Sequence, residues 1–329
     1  MGLRRILRKL LDVEKAEHWE PNGWLSENVY CQSSQTQLSD IAHLFDPKYT
    51  DPDPVNLVHI VNMYSIGGQL DNVQNATLSS MQAARSNPLA GKGNTTIVQV
   101  PLGGDEGLLD GLDGVQIAPS LERTVLDIAE FQDPRPLPLL FDILENGASF
   151  AGRDDYLVYT NSDICVQPYF YGAVRQLIAA GFDAISINRR TVGNERIAPP
   201  DPLALGETGL WHPGHDCFIF SKVVFERFLR TDSCLGKAGV MQPLLFNMVA
   251  HADRMLMLKN GHFTFHFGND APWRSEGNAD YTTFNYNAAS QNLQDLARDK
   301  KIKNRLRDYC ENHHDTWRVA EDGSVDFGA

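Results

Sequence analysis

The sequence predicts an α/β fold: a mainly parallel, Rossmann-like sheet flanked by helices. Short runs rich in β-branched and aromatic residues, the length of buried strands, alternate along the chain with segments of helical periodicity. The first of these units reads strand, helix, strand, the order that gives a right-handed crossover between parallel strands. The strongest run, 155–163, ends in polar residues, as strands do when they deliver side chains to a ligand site.

The elements follow in a regular order. In the first half we expect strands at 56–64, 95–100, 123–129 and 155–163, helices at 72–85 and 137–145, and a glycine-rich loop over 103–119. In the second half we expect helices at 170–180, 222–229 and 240–252 and strands at 183–188, 216–220, 255–258 and 262–267.

Three parts are predicted: an N-terminal extension over 1–54, a core domain over 55–290 and a C-terminal helical tail over 291–329. Residues 3–11 place leucine and isoleucine at helical spacing between four basic residues, which predicts an amphipathic helix that either packs on protein or touches an anionic membrane surface. The proline-containing stretch 193–210 is expected to close as a loop over a bound substrate.

Charge and composition exclude several function classes. The 29 Lys and Arg residues against 42 Asp and Glu residues give a net charge of −13, so we expect no nucleic-acid partner. Five scattered cysteines without a CxxC pair predict reduced thiols and a cytoplasmic protein, with peripheral contact at the inner membrane face as an option through the basic helix. The G-x-S-x-G, Walker and G-x-G-x-x-G motifs are absent.

Asn161 and Asp163 are the first candidate site residues. They lie two residues apart at the end of the strongest predicted strand, so an amide oxygen and a carboxylate could face one hard cation. The alternative is that Asp163 only caps the following turn. Near the end of the core, His266 alternates with phenylalanines in a predicted strand and is either a metal ligand or a half-buried, hydrogen-bonded histidine.

The segment 211–220 is the next candidate. A predicted His-Pro-Gly turn would present His215 and Asp216 ahead of a buried strand, with Asp216 as a general base and Trp211 stacking on a sugar or a base. The alternative is that Asp216 merely caps the turn. Arg189 and Arg190, at a strand end, could neutralise a diphosphate or be solvated surface residues.

Together, the strand at 56–64, the Asn-Ser-Asp at 161–163, the Gly-His-Asp at 214–216 and the late His266 resemble glycosyltransferases of the GT-A fold, the nucleotide-diphospho-sugar transferase superfamily. The resemblance covers about residues 55–270 and lies in the order and placement of motifs. It implies transfer of a sugar from a nucleotide-diphosphate sugar to an acceptor hydroxyl, with a divalent metal, Mn²⁺ or Mg²⁺, as cofactor. The acceptor would be a glycan, a lipid-linked molecule or a small molecule.

The resemblance also implies residue roles. Asp163 matches the last residue of the family's metal-binding Asp-x-Asp motif, with Asn161 at the first position, and His266 resembles the histidine that completes the metal shell. Val61, Asn62 and Met63 resemble the site of the base and ribose. Gly214, His215 and Asp216 resemble the segment that faces the donor sugar and the acceptor. The helix that often carries an acidic pair reads Val-Met-Gln-Pro-Leu at 240–244, which leaves inverting and retaining chemistry both open.

Two other functions compete with this interpretation. A nucleotidyltransferase shares the sheet and the metal-diphosphate chemistry but usually carries a basic glycine-rich loop near its first strand, whereas residues 65–72 contain glycine and no Lys or Arg. A non-catalytic binding protein that keeps the fold is favoured by the asparagine at position 161.

Overall fold

A computed structural model describes residues 29–31, 53–194, 205–268, 279–313 and 316–328. The predicted helix 3–11, most of the N-terminal extension and part of the loop 193–210 lie outside the described residues. None of the helices within the described ranges is long and apolar enough to cross a membrane.

The centre of the fold is a sheet of ten strands within the described residues. The strands are β1 (Val29–Cys31), β2 (Leu57–Val61), β3 (Thr95–Gln99), β4 (Val115–Ile117), β5 (Tyr156–Thr160), β6 (Cys165–Val166), β7 (Ala184–Val192), β8 (Leu210–Ser221), β9 (Met255–Leu258) and β10 (Thr264–Phe267). Their order is β1-β9-β7-β8-β5-β2-β3-β4, and β10 joins beside β7 and β6 beside β10. β2 pairs in parallel with β3 and β5, β3 with β4, and β7 with β9 and β10, whereas β8 runs antiparallel to β5 and β7, β1 to β9 and β6 to β10. The expected mainly parallel α/β sheet is therefore confirmed.

Helices cover both faces of the sheet because its central strands are apolar on both sides. In β2, Val58 and Ile60 belong to one buried cluster and Leu57 and Val61 to another. The helices are α1 (Asn72–Arg85), α2 (Leu140–Ala148), α3 (Phe170–Ala179), α4 (Lys222–Phe225), α5 (Gln242–His251), α6 (Ala279–Leu296) and α7 (Lys300–His313), followed by a hairpin of β11 (Trp317–Val319) and β12 (Val325–Phe327).

The third expected strand, 123–129, is wrong. Thr124 and Asp127 form a capping box, in which the Asp127 carboxylate accepts the Thr124 N–H at 2.7 Å, and residues 125–127 make a 3₁₀ turn. β4, which pairs with β3, lies inside the segment that was expected to be a loop. It is only three residues long and half-buried, so its apolar pattern is too short to stand out.

β8 begins earlier than expected and includes the His-Pro-Gly segment that was expected to form a turn. Leu210 pairs with Thr191 and Trp211 with Arg190, so the strand begins before Pro213, and the register shifts on both sides of Asn188. A proline cannot donate to the ladder, and such a bulge lets a strand accommodate it. The Asn188 amide donates to the carbonyl oxygens of His212 and Pro213 at 3.2 and 2.9 Å, which fixes the bulge.

Two buried polar side chains tie the layers together. The Arg175 guanidinium on α3 has no exposed surface and donates to four carbonyl oxygens and one hydroxyl, those of Val55, Ala90, Gly93, Asn94 and Thr95. His59 on β2 is fully buried, with Nδ1 at 2.8 Å from the Tyr171 hydroxyl and Nε2 at 2.9 Å from the Thr160 hydroxyl. Burial lowers the pKa of His59 to about 3, so the folded protein keeps this ring neutral.

His59 makes the stability depend on pH. In the unfolded chain its pKa is near 6.5, so protons bind the unfolded state first as the pH falls, and stability is lost from pH 6.5 down towards 3. We expect His59→Gln to remove up to about 4 kcal/mol of this pH-dependent loss. Chemical unfolding at pH 7, 6, 5 and 4 measures the free energy of unfolding and its dependence on pH.

Tyr171→Phe is the control. It removes one hydrogen bond, which lowers the free energy of unfolding by about 1 kcal/mol at every pH, and it leaves the pH slope unchanged. Equal slopes for His59→Gln and the wild type would contradict the assignment.

Candidate active site

The chemistry-bearing residues meet at one edge of the sheet. Parallel β5 ends there with Asn161 and Asp163 following it, while antiparallel β8 enters the sheet from the same edge and carries Asp216. The strands β7 and β10 pair in parallel, and they bring Arg189 and His266 to this edge. Four of the predicted site residues are thereby brought into two contacting pairs.

The first pair is Asp163 and His266. His266 Nε2 lies 3.2 Å from Asp163 Oδ2, and His266 Nδ1 lies 2.9 Å from the Gly268 carbonyl oxygen. Since a carbonyl oxygen only accepts, Nδ1 carries the proton, and in the neutral ring Nε2 turns a lone pair towards the carboxylate. The Asp163 side chain is 42% exposed, yet its Oδ1 atom is buried and has no hydrogen-bond partner. Nε2 and Oδ2 are therefore joined by a proton when the His266 ring is charged, and can share a cation when the ring is neutral.

The second pair is Asp216 and Arg189. Arg189 Nη1 lies 3.3 Å from Asp216 Oδ2, and the Asn161 amide donates to Asp216 Oδ1 at 3.4 Å. Both charged side chains are only about one-tenth exposed, at 10% and 12%. The expected alternative was that Asp216 merely caps a turn, but its carboxylate contacts Arg189 on β7 and Asn161, which follows β5.

The two carboxyl groups are pushed in opposite directions. Burial raises the pKa of Asp216, and the nearby Asp163 adds to the rise, against the charges of Arg189 and His266. For Asp163 burial also acts upward, but the hydrogen bond and charge of His266 and the charge of Arg189 outweigh it and lower its pKa. Paired acids with separated pKa values commonly divide the work of ion binding and proton transfer.

His212 is a site residue that the sequence analysis did not identify. The Gly214 N–H donates to His212 Nδ1 at 2.9 Å, and His212 Nε2 lies 3.4 Å from Arg189 Nη2. A Cβ added at Gly214 would lie 2.7 Å from the His212 ring, so a larger residue here would displace the ring. The only signal in the sequence was the histidine two residues before this glycine, and the expectation of a tight turn hid it.

The end of β2 is closed by hydrogen bonds. Val61 and Met63 are fully buried, and the Asn62 amide donates to the Val100 carbonyl oxygen at 2.7 Å. The Gln99 side chain, absent from the expected site, holds both the N–H and the carbonyl oxygen of Met63, at 2.9 and 2.8 Å. These contacts stabilise the strand end, and a part for Val61, Asn62 and Met63 in nucleotide binding stays a prediction.

Three predicted residues lie around this cluster. Arg190 donates to the carbonyl oxygens of Thr208 and Gly209, at 2.6 and 2.7 Å, and contacts the Asn260 side chain, so it holds the returning end of the loop. Trp211 is 53% exposed and fixed through Nε1, which donates to the Lys259 carbonyl oxygen at 2.7 Å. His215 Nδ1 lies 2.8 Å from the buried Ser186 hydroxyl. Their roles towards a ligand stay predictions.

The donor set fits a divalent cation only in part. Within the described ranges no group of three or more His, Cys, Asp or Glu residues is placed to hold a metal ion. Asp163 and His266 could supply two ligands, and the buried, unpartnered Asp163 Oδ1 is an oxygen of the kind that Mn²⁺ or Mg²⁺ prefers. The residues present therefore suit an ion whose remaining ligands come from a bound substrate and water.

No protein-family profile matches the chain, and no curated protein matches it in sequence. Among solved structures the chain is similar to S. aureus TarS 1–349 in complex with UDP-GlcNAc, at 11% identity and a TM-score of 0.47 over 79% of this chain and 72% of that one. It is also similar to the mannosyltransferase PcManGT from Pyrobaculum calidifontis in complex with GDP-Man and Mn²⁺, at 13% identity and a TM-score of 0.44 over 84% and 74% of the two chains. A third similar structure is GalNAc-T7 with UDP, GalNAc and Mn²⁺, at 11% identity and a TM-score of 0.44 over 81% and 60%.

All three similarities have TM-scores below 0.5. At 11 to 13% identity the similarity is one of fold. We carry no residue role over from these proteins.

Arg189 compensates the buried Asp216 charge, and removing it tests the pair. We expect Arg189→Met to lower the free energy of unfolding by about 3 kcal/mol, because it leaves an uncompensated carboxylate at the sheet edge. The double variant Arg189→Met/Asp216→Asn should recover most of this loss, since it removes both charges. Urea unfolding of the wild type, both single variants and the double variant gives the coupling. Additive effects would show that the two side chains do not interact.

Proposed function

We propose that this protein is a glycosyltransferase that moves a sugar from a nucleotide-diphosphate sugar to an acceptor hydroxyl, with the help of a divalent cation. One observation carries the proposal: the Asp163 and His266 pair and the positive charge of Arg189, which acts on Asp163, meet at the sheet edge where ligands of open α/β folds bind. A metal-diphosphate presents a cation to the pair and anionic oxygens to the guanidinium.

Asp163 and His266 would hold the cation. A bound Mn²⁺ or Mg²⁺ would act as a Lewis acid on the diphosphate and neutralise part of its charge. Asp163 suits this role because its pKa is lowered, so the side chain stays a carboxylate. His266 suits it because the Gly268 carbonyl oxygen fixes the Nδ1–H tautomer and orients Nε2.

Arg189 would bind the diphosphate as it departs. The reaction forms a bond between the anomeric carbon and the acceptor oxygen and breaks the bond from that carbon to the phosphate oxygen, which leaves with the electron pair. Arg189 Nε is buried and has no hydrogen-bond partner, so this guanidinium has a donor available for an anion. The positive charge also balances Asp216 before substrate arrives.

Asp216 is our candidate for the group that takes the acceptor proton. Its pKa is raised by burial, which makes it a stronger base than a solvated carboxylate, and Asn161 orients its Oδ1. His215 precedes Asp216 on β8 and is hydrogen-bonded to the Ser186 hydroxyl on β7. It is the second candidate for the group that takes the proton. Trp211, exposed at the entrance of β8, offers a flat apolar surface to a sugar ring.

Nucleotide binding tests the proposal directly. We expect UDP or GDP to bind the wild type in the presence of Mn²⁺ and to bind at least tenfold more weakly without it. Asp163→Ala should abolish the metal dependence, because it removes the cation's carboxylate ligand. Titration calorimetry of both nucleotides, with and without Mn²⁺, measures these affinities.

Asp113→Ala is the matched control. Asp113 is also an aspartate, but it is 96% exposed and pairs only with Arg85 in the contacts seen here. This variant should bind like the wild type. Absence of binding of both nucleotides under every condition would count against the enzyme and for a binding protein that keeps the fold.

A further inference from the structure

Two glutamine side chains hold the backbone that follows β2. The Gln99 side-chain amide accepts the Met63 N–H at 2.9 Å and donates to the Met63 carbonyl oxygen at 2.8 Å. The Gln74 side-chain amide does the same for the next residue, Tyr64, at 3.1 and 3.0 Å. We call each two-point contact an amide clamp. A side-chain amide has the donor and the acceptor that a neighbouring strand would offer, so backbone pairing extends past the end of β2.

Both amide clamps are built on regular elements. Gln99 is the last residue of β3, and Gln74 lies in the first turn of α1, where its own N–H donates to the Asp71 side chain at 2.7 Å. Both glutamine side chains are at most 1% exposed, so packing fixes their conformations. The segment after β2 is therefore held from the sheet and from a helix at the same time.

Tyr64 is the residue that this arrangement presents to solvent. Residues 61–63 are buried, whereas Tyr64 is 47% exposed. Burial raises the pKa of its phenol, and the charges of Asp71 and Asp163 add to the rise. Tyr64 therefore lies within electrostatic reach of Asp163 at the ligand edge, on a backbone that the amide clamps fix.

We propose that Gln74 and Gln99 are positioning residues for nucleotide binding, which hold Tyr64 so that its ring packs on the nucleoside of the donor. This inference rests on the proposed function and extends it to residues outside the expected site. An aromatic ring binds a base by stacking, and the gain in affinity is larger when the ring is already in place before the ligand arrives. The Asp163 and His266 pair would hold the cation and with it the diphosphate, which leaves the nucleoside for Tyr64 at the same edge.

Binding of a nucleotide and of pyrophosphate separates the nucleoside from the phosphates. We expect Gln74→Met and Gln99→Met to weaken binding of UDP or GDP with Mn²⁺ about fivefold, because methionine keeps the length of the side chain and removes both hydrogen bonds. Binding of inorganic pyrophosphate with Mn²⁺ should stay within about twofold of the wild type, since this ligand has no base or ribose. Titration calorimetry measures both affinities.

Asn247→Leu is the matched control. Asn247 on α5 is fully buried and forms the same kind of amide clamp on Leu229, with the Leu229 N–H donating to it at 2.6 Å and its own amide donating to the Leu229 carbonyl oxygen at 3.0 Å. Leu229 follows α4, which begins where β8 ends, at the edge opposite the candidate site. This variant should lose thermal stability as the glutamine variants do and keep the affinity of the wild type for both ligands.

Tyr64→Ala tests whether the amide clamps act through the ring. Because Tyr64 is exposed, this variant keeps the fold, and we expect it to weaken nucleotide binding about tenfold. In the Tyr64→Ala background, Gln74→Met should change the nucleotide affinity by less than about twofold, since the ring that the clamp positions is gone.

Each outcome decides the inference. Unchanged nucleotide affinity in both glutamine variants, with binding still dependent on Mn²⁺ and Asp163, would overturn it and leave the proposed function standing. Equal losses for nucleotide and pyrophosphate, or a loss from Gln74→Met that is as large without the Tyr64 ring as with it, would also overturn it. If one glutamine variant does not fold in thermal unfolding tests, the other glutamine variant and Tyr64→Ala decide. Failure of the wild type to bind either nucleotide would overturn both proposals.

Discussion

The candidate site depends on two like charges that are held at one sheet edge, Asp216 buried and Asp163 partly exposed. Asp163 and Asp216 influence each other's protonation, and two carboxylates can remain in such a place only if positive or proton-donating groups lie against them. Arg189 and His266 meet this requirement from β7 and β10, so the electrostatic balance spans four strands. Strand order, register and local irregularities at this edge all serve to keep that balance.

The antiparallel strand β8 makes the balance geometrically possible. In a sheet of parallel strands every residue at the ligand edge follows the end of a strand. Because β8 runs the other way, Asp216 reaches the same edge from the middle of β8, opposite Asn161, which follows β5. The bulge around Asn188 then turns His212 towards Arg189, which a regular ladder would not do.

The sequence predicted the elements whose local pattern is strong. β9 and α1 have the expected bounds, and β3 and α3 differ from the expected ranges by one residue, because their patterns are clearly β-rich or clearly helical. Asp163 and His266 could be singled out from strand ends and alternation, and the structure brings them together. The ion pair of Arg189 with Asp216 and the place of His212 depend on the pairing register of β7 and β8, which is a tertiary property. β4 was missed because its three residues, two half-buried and one exposed, are too few to show a pattern.

The site is also assembled from distant parts of the chain. Asn161 meets Asp216 across 55 residues, and His266 meets Asp163 only after β10 has joined β7. Contacts of such high sequence separation require loop closure before they contribute free energy, which slows folding and places them late on the pathway. A nascent chain that ends before β10 can therefore build most of the hydrophobic sheet while its charged edge is still incomplete, so compactness and ligand competence arise at different times.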